Sequence, residues 1–117
     1  MHDSLSTRSA LARGAFAVAI LVSLVILFAP PPDVPATPPG VDKLVHGALF
    51  AALALTGRWA GIARAVLVGS LVGYAALSEV VQGMIGRDAA FGDLLGDVVG
   101  LLLGLAAWQW IARRGAR

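Results

Sequence analysis

Apolar residues dominate four stretches of the chain, which are separated by short polar or proline-rich segments. A helix that crosses a lipid bilayer needs about 20 mainly apolar residues, within a range of roughly 17–25. The four stretches approach this length, and they cover residues 14–29, 44–59, 65–85 and 94–112. The pattern therefore predicts four transmembrane helices, of which the second is short.

The segments outside these stretches set the limits of the predicted domain. Six of the eleven residues in segment 30–40 are proline. Proline lacks a backbone N–H and interrupts helices, so this segment is predicted to be an extended loop. Residues 1–13 and 113–117 form a polar and a basic tail. We predict an all-α membrane domain over residues 14–112, folded as a compact bundle of four transmembrane helices.

An alternative interpretation concerns the first stretch. Arg8 and Arg13 precede an apolar run, which is also how a secretory signal peptide begins. Prolines follow the run where a cleavage site would need small residues, and three further apolar stretches come after it. We therefore favour a first helix that is retained in the membrane.

The composition supports a membrane environment. Apolar residues make up 58% of the chain and charged residues 14%, against roughly 45–50% and 25% in soluble domains. The formal net charge is only +2, and the arginines lie at the ends of the apolar stretches. This distribution does not form the basic face that nucleic-acid binding requires, so no nucleic-acid partner is predicted. The chain has no cysteine, which excludes disulfides and thiolate metal sites.

The basic residues also predict an orientation. Cytoplasmic loops of membrane proteins carry an excess of Lys and Arg. With the N-terminus inside, Lys43 and Arg87 alone fall outside, and seven arginines fall on the cytoplasmic side: Arg8, Arg13, Arg58, Arg64, Arg113, Arg114 and Arg117. The predicted topology places both termini in the cytoplasm and the proline-rich loop 30–40 on the outer side.

Three of the predicted helices carry a pair of polar residues at the same, outer end. Residues three or four apart share a helical face, and the pairs are Asp42 with His46, Glu79 with Gln82, and Asp93 with Asp97. A charged group that faces lipid costs several kcal/mol, so such residues normally face the bundle interior. We predict that His46, Glu79 and Asp97 converge, with side chains within about 8–10 Å of one another, because packed helix axes are that far apart.

Several of these residues also have a purely structural interpretation. Asp42 and Asp93 stand where helix N-caps stand, and Lys43 and Arg87 fit interfacial anchors. Small residues offer packing faces, since a GxxxG spacing lets helix backbones approach closely. This spacing occurs at Gly96, Gly100 and Gly104 in the fourth stretch and at Gly69 and Gly73, followed by Ala75, in the third. Both faces are predicted to pack helices within the bundle. Association of several copies of the chain through these faces is an alternative.

The order and spacing of these residues resemble a known pattern. Asp42-Lys43-x-x-His46, Glu79-x-x-Gln82, and Arg87 followed by Asp93, Asp97 and Gly100 are similar to the motifs of the VanZ-like family of bacterial membrane proteins. The resemblance covers roughly residues 41–104, and it departs at Asp97, where the family usually has Asn. It implies a multi-pass protein of the bacterial plasma membrane that acts in the cell envelope. One member of the family is associated with glycopeptide resistance, but the resemblance implies no mechanism.

The leading functional hypothesis is a site for an amphiphilic envelope molecule, such as a membrane lipid or a lipid-linked cell-wall precursor. Lys43 and Arg87 would hold a phosphate or carboxylate. His46, oriented by Asp42, would act as acid or base, because imidazole titrates near neutral pH. Glu79 and Asp97 would position or relay a proton. His46, Glu79 and Asp97 are thus the candidate catalytic residues, and the candidate substrate-binding residues are Asp42, Lys43, Gln82, Arg87 and Asp93.

Other function classes stay open at this point. A structural or adaptor bundle needs the polar residues solely to fix helix packing, and a proton-coupled transporter would use the buried carboxyl groups. Whether the chain is an enzyme is undecided, since no nucleophile motif is present. No cofactor is predicted, and none of the residues is assigned to a metal, because one histidine among carboxylates is a weak basis for a metal site at the level of sequence.

Overall fold

The computed structural model describes residues 2–28, 41–84 and 91–115, with the side chains of residues 2–7, 42 and 91–93 left out of the description. These residues form helices α1 (His2–Phe28), α2 (Val41–Trp59), α3 (Arg64–Met84) and α4 (Phe91–Gly115). The predicted all-α class is confirmed. The predicted proline-rich loop 30–40 and Arg87 lie outside the described residues.

The turn between α2 and α3 depends on a glycine that ends α2. Gly61 has a φ of 92°, in the left-handed region that glycine adopts without strain. The N–H groups of Gly61 and Ile62 donate to the carbonyl groups of Arg58 and Gly57, at 3.0 and 3.1 Å. This is the Schellman arrangement, which satisfies the last carbonyl groups of a helix. Arg58 adds a bond from Nη1 to the Ile62 carbonyl at 2.8 Å.

Three of the helices are long and apolar enough to cross a membrane. They are the segments Arg8–Phe28, Arg64–Met84 and Leu94–Gly115. Helix α2 has 19 residues and carries charged residues at both ends, Asp42 and Lys43 at its start and Arg58 near its finish. It is not among the candidate spans by length and composition. The structure thus supports a multi-pass helical protein with three clear candidate spans.

Helix α2 occupies the centre of the bundle. Both α2 and α3 contact each of the other three helices, but the two most extensive helix–helix contacts, with α4 and with α1, are those of α2. Helices α1 and α4 are not in contact within the described parts of the chain. A central helix covers more of its surface with protein than a peripheral helix does. This position is compatible with the lower apolar content of α2, since its polar residues can face other helices instead of lipid.

A seam of small residues joins α2 to α4. The contacting pairs are Gly96 with Lys43, Gly100 with Gly47, and Gly104 with Ala51. A Cβ atom on Gly100 would lie 2.7 Å from the Cα of Gly47, and one on Gly104 would lie 2.9 Å from the Cα of Ala51. The contacts advance by four residues along both helices in the same direction, so α2 and α4 run parallel. The predicted packing role of the glycine face of α4 is confirmed.

The glycine pair on α3 behaves differently, and the prediction that it packs within the bundle was wrong. A Cβ atom on Gly69 or Gly73 would meet nothing within 4 Å. The buried face of α3 is formed by Leu67, Leu71, Ala75, Ser78 and Gln82. Gly73 lies two residues from Leu71 and Ala75, which is about 200° around a helix of 3.6 residues per turn. It therefore faces outward, while Ala75 packs inside as expected.

The hydrophobic core lies between the helices on one side of the polar residues. Its buried members are Leu27, Phe50, Leu53, Ala54, Leu67, Leu71, Ala75 and Leu101. Phe50 of α2 packs on Tyr74 of α3, with ring centroids 5.7 Å apart. This aromatic contact marks the boundary at which the apolar core gives way to polar side chains.

Candidate polar site at one end of the bundle

The candidate site consists of His46, Glu79, Gln82 and Asp97, a set we call the polar layer. His46 lies near the start of α2, Asp97 near the start of α4, and Glu79 and Gln82 near the end of α3. One ligand atom from each of His46, Glu79 and Asp97 lies within 4.8 Å of the other two. The predicted convergence of these three side chains is therefore confirmed. His46 and Asp97 are buried, with 1% and 0% of their surface exposed, and Glu79 is partly buried.

A hydrogen bond within the polar layer joins α2 to α4. Nδ1 of His46 lies 2.9 Å from Oδ1 of Asp97. The glycine seam explains this proximity, because His46 directly precedes Gly47 and Asp97 directly follows Gly96. With Asp97 ionised, Nδ1 carries the hydrogen and donates it to the carboxylate. The sequence assigned this orienting role to Asp42, whose side chain lies outside the described residues; in the structure Asp97 contacts Nδ1.

Gln82 links the polar layer to α1. Its Nε2 donates a hydrogen bond of 2.9 Å to the carbonyl oxygen of Leu27. Its Oε1 is buried and has no hydrogen-bond partner among the residues that the structure describes. A buried acceptor without a partner costs about 1–3 kcal/mol. Gln82 therefore holds α1 against α3 with one end of its amide and presents an acceptor oxygen at the other.

A second group of polar contacts is formed by Ser23, Tyr74 and Ser78, of which Ser78 directly precedes Glu79 on α3. Oγ of Ser23 donates to the Ile20 carbonyl at 2.7 Å and lies 2.8 Å from the hydroxyl of Tyr74. Because the single Ser23 hydrogen is used by Ile20, Tyr74 is the donor to Ser23. Ser78 is also buried, and its Oγ donates to the Ala75 carbonyl at 2.8 Å.

The contact between Ser23 and Tyr74 was missed at the level of sequence. Each is an isolated polar group within an apolar run. The available signal was the spacing of Tyr74, four residues before Ser78, which places both on one face of α3. That face is the buried one, as Ser78 and Gln82 show.

The remaining predicted site residues surround the polar layer or lie outside the description. The Lys43 side chain is exposed on α2, and its backbone carbonyl lies against Gly96. The side chains of Asp42 and Asp93 and the whole of Arg87 are outside the described residues. The structure thus brings together the three candidate catalytic residues and Gln82, with Lys43 one turn of α2 before His46.

The donor set of the polar layer favours a particular kind of ligand. It offers an imidazole, two carboxylates and an amide oxygen, groups that accept hydrogen bonds or coordinate cations. A phosphate or carboxylate would be repelled by Glu79 and Asp97. The polar layer itself therefore suits a cation, an ammonium group or a hydroxyl group, whereas an anionic group would need Lys43 at its edge.

Comparisons of this chain with models of protein families, with curated proteins and with solved structures find no match. Membership of a family is therefore not shown by these comparisons. The chemistry of the polar layer and its position in the bundle are the basis for a functional proposal.

Proposed function

We propose that this chain is a VanZ-like protein of the bacterial plasma membrane whose polar layer binds the polar group of an amphiphilic lipid or lipid-linked cell-wall precursor. The observation that carries the proposal is a buried polar layer, built from three helices, at one end of a bundle whose outer surface is apolar. Polar residues buried in a membrane bundle are costly, and they commonly mark a functional site. The motif resemblance at Asp42, Lys43 and His46 supports the same assignment.

An amphiphile fits because exposed apolar side chains surround the polar layer. Leu44 on α2, Val80 and Met84 on α3 and Leu95 on α4 are all exposed, and each lies within three residues of a member of the polar layer. An alkyl chain of the ligand can lie along these side chains without leaving the hydrocarbon of the membrane, because lipid tails are as apolar as leucine. Its polar group would then meet the ends of α2, α3 and α4.

Cationic side chains and hydrogen-bond acceptors would bind different groups of the ligand. Lys43, and Arg87 from the same predicted side, would hold a phosphate or carboxylate of the ligand. Glu79 and Gln82 would accept hydrogen bonds from its hydroxyl or amino groups, and Asp42 and Asp93 would extend this set. If the ligand is also modified, His46 is the group suited to transfer a proton, and Asp97 fixes the orientation of its ring.

The proposal includes a fourth span and an orientation. Helix α2 would cross the bilayer at the centre of the bundle, where α1, α3 and α4 cover its polar residues. Both termini would lie in the cytoplasm, because seven of the nine basic residues then fall on the inner side. The polar layer would lie towards the outer leaflet.

Cysteine labelling tests this orientation directly, since the natural chain contains no cysteine. We expect Thr37→Cys to react with a membrane-impermeant maleimide in intact cells, and Ala116→Cys to react after the cells are permeabilised. The two variants control for each other. Labelling of Thr37→Cys shows that the reagent works in intact cells, and labelling of Ala116→Cys after permeabilisation shows that this cysteine is reactive. Labelling of Ala116→Cys in intact cells would overturn the topology.

The ligand is tested by native mass spectrometry of protein extracted together with its membrane lipids. We expect a bound amphiphile that carries a phosphate or carboxylate group. Lys43→Gln should lose it, because an exposed cation beside the polar layer is removed. Arg113→Gln is the matched control, since it removes an exposed cation at the far end of α4. An unoccupied wild-type protein, or equal retention in both variants, would contradict the proposal.

A structural bundle is the second candidate, and two observations favour it. The bonds between His46 and Asp97 and between Gln82 and the Leu27 carbonyl each tie two helices together. Such contacts fix the packing of helices whatever else the polar layer does. The two candidates differ in what they predict for Glu79, which neither of these bonds includes.

A further inference from the structure

We propose that His46, Glu79 and Asp97 form a binding site for one divalent transition-metal ion, of the kind that prefers mixed nitrogen and oxygen ligands, such as Zn²⁺ or Mn²⁺. Spacing along the sequence was a weak basis for a metal site, but the arrangement in three dimensions is a stronger one. The proposal goes beyond amphiphile binding, because it concerns the three side chains themselves and holds with or without a bound lipid.

The positions of the ligand atoms carry the first part of the argument. Zn²⁺ binds imidazole nitrogen and carboxylate oxygen at about 2.0–2.2 Å, so neighbouring ligand atoms around it stand about 3.4 Å apart. Nδ1 of His46 and Oδ1 of Asp97 are hydrogen-bonded at 2.9 Å, so an ion bound by both atoms would displace the Nδ1 hydrogen and widen this separation slightly. All three ligand atoms lie within 4.8 Å of one another. Glu79 is the partly exposed member, and a small change in its side-chain torsions would close the set around an ion.

The charges carry the second part. Glu79 and Asp97 bring two carboxylates to within 4.8 Å of each other, and Asp97 is fully buried. Like charges at such a distance in a medium of low dielectric constant repel strongly. A divalent cation offsets both carboxylates, and the neutral imidazole coordinates it without adding charge.

Gln82 of the polar layer is a candidate for a fourth metal ligand. Oε1 of Gln82 is buried and lacks a hydrogen-bond partner among the described residues, and Gln82 shares a face of α3 with Glu79. An amide oxygen is a suitable ligand for Mn²⁺, and one imidazole with oxygen ligands suits Zn²⁺ and Mn²⁺ better than Cu(I), which prefers sulfur. Asp97, where the motif pattern has Asn, supplies the second carboxylate of this ligand set.

The test measures metal content in protein that carries no histidine tag. Purified protein in detergent is stripped with EDTA, loaded with ZnCl₂ or MnCl₂, desalted and analysed by inductively coupled plasma mass spectrometry. We expect one ion per chain in the wild type. Asp97→Asn and Glu79→Gln change the shape of the site little, and each should weaken binding by about 100-fold or more, since even residues outside the metal shell contribute 10–100-fold. Co²⁺ should give visible absorption bands in the wild type and lose them in both variants.

His2→Ala is the matched control, because His2 is the other histidine of the chain. It should leave the metal content and the Co²⁺ spectrum unchanged. Circular dichroism and size-exclusion chromatography identify any variant that has not folded. If either Asp97→Asn or Glu79→Gln does not fold, the metal content of the other variant still tests the site. Absence of a bound ion, retention of the ion in both site variants, or its loss in His2→Ala would each overturn the proposal.

The metal and the amphiphile give separable results. One ion per chain without a lipid adduct in native mass spectra supports the metal site and contradicts the proposed function. A lipid adduct that survives complete removal of metal supports the proposed function. If the EDTA-stripped protein also fails to rebind Zn²⁺ and Mn²⁺, the metal site is overturned.

Discussion

Gly100→Ala is expected to separate α2 from α4 and to destabilise the protein by about 3 kcal/mol, at the upper end of the range for overpacked cores. The added methyl group would lie 2.7 Å from backbone atoms of Gly47, and backbone cannot rotate away as a side chain can. The same displacement would move Asp97 away from His46, whose contact depends on the seam. Thermal unfolding in detergent, followed by circular dichroism, measures the loss, and the metal content reports on the polar layer.

Gly73→Ala is the matched control for this change. It makes the same substitution within a neighbouring helix, at a position where a Cβ atom meets nothing within 4 Å. Alanine favours helix over glycine by about 0.5–1 kcal/mol, so this variant should be as stable as the wild type or slightly more stable. Equal stability of Gly100→Ala and the wild type would contradict the seam. A large loss in Gly73→Ala would indicate that a second copy of the chain covers this face of α3.

Glu79→Gln is expected to keep the protein folded and to abolish retention of the ligand. The substitution preserves the shape of the side chain and removes its charge. Sites that concentrate charge for function do so at a cost to stability, so removing the charge should leave the unfolding temperature unchanged or raise it. Native mass spectrometry should show loss of the bound amphiphile, and thermal unfolding should show no loss of stability.

The structural alternative predicts the opposite result for the same variant. If Glu79 were half of a buried ion pair that fixes packing, removing its charge would cost about 3–5 kcal/mol. Ser70→Ala is the control, because Ser70 is an exposed polar residue on the same helix and its loss should change neither measurement. A folded Glu79→Gln protein that retains the ligand would refute a functional role for Glu79 and favour the structural bundle.

The helices were largely predictable from the sequence, because their ends coincide with residues that stop helices. Gly61 closes α2, and Pro30 comes two positions after Phe28, the last described residue of α1. The predicted membrane span starts at residue 14, whereas the helix that contains it begins at His2. Apolar content identifies the part of a helix that lipid can cover, but Arg8 and Arg13 are good helix formers and continue the same helix beyond that part.

The members of the polar layer were also predictable, but their contacts were not. Depth and spacing were enough to place His46, Glu79 and Asp97 at one end of the bundle. Which carboxylate meets the imidazole depends on the relative position of α2 and α4, two helices that are not consecutive in the chain. That position is set by backbone contacts such as Gly47 with Gly100, and a helical period in one segment contains no information about its register against another.

Outward-facing and inward-facing glycines were indistinguishable for the same reason. Gly69 and Gly73 have the same spacing as Gly100 and Gly104, yet the first pair meets open space and the second meets the backbone of α2. The contact between Ser23 and Tyr74 joins α1 to α3 across 51 residues. Single hydroxyl groups in apolar runs are common, so the sequence does not show which of them pair.

The separation of His46 and Asp97 by 51 residues affects how the chain is made. A ribosome that adds about 5–20 residues per second completes α2, which ends at Trp59, about 2–8 s before it reaches Asp97. During that interval α2 exists without the carboxylate that later orients its imidazole ring. In the proposed four-span topology, α4 therefore completes the packing of α2 late in synthesis, and truncation before α4 should leave α2 the most weakly inserted segment of the chain.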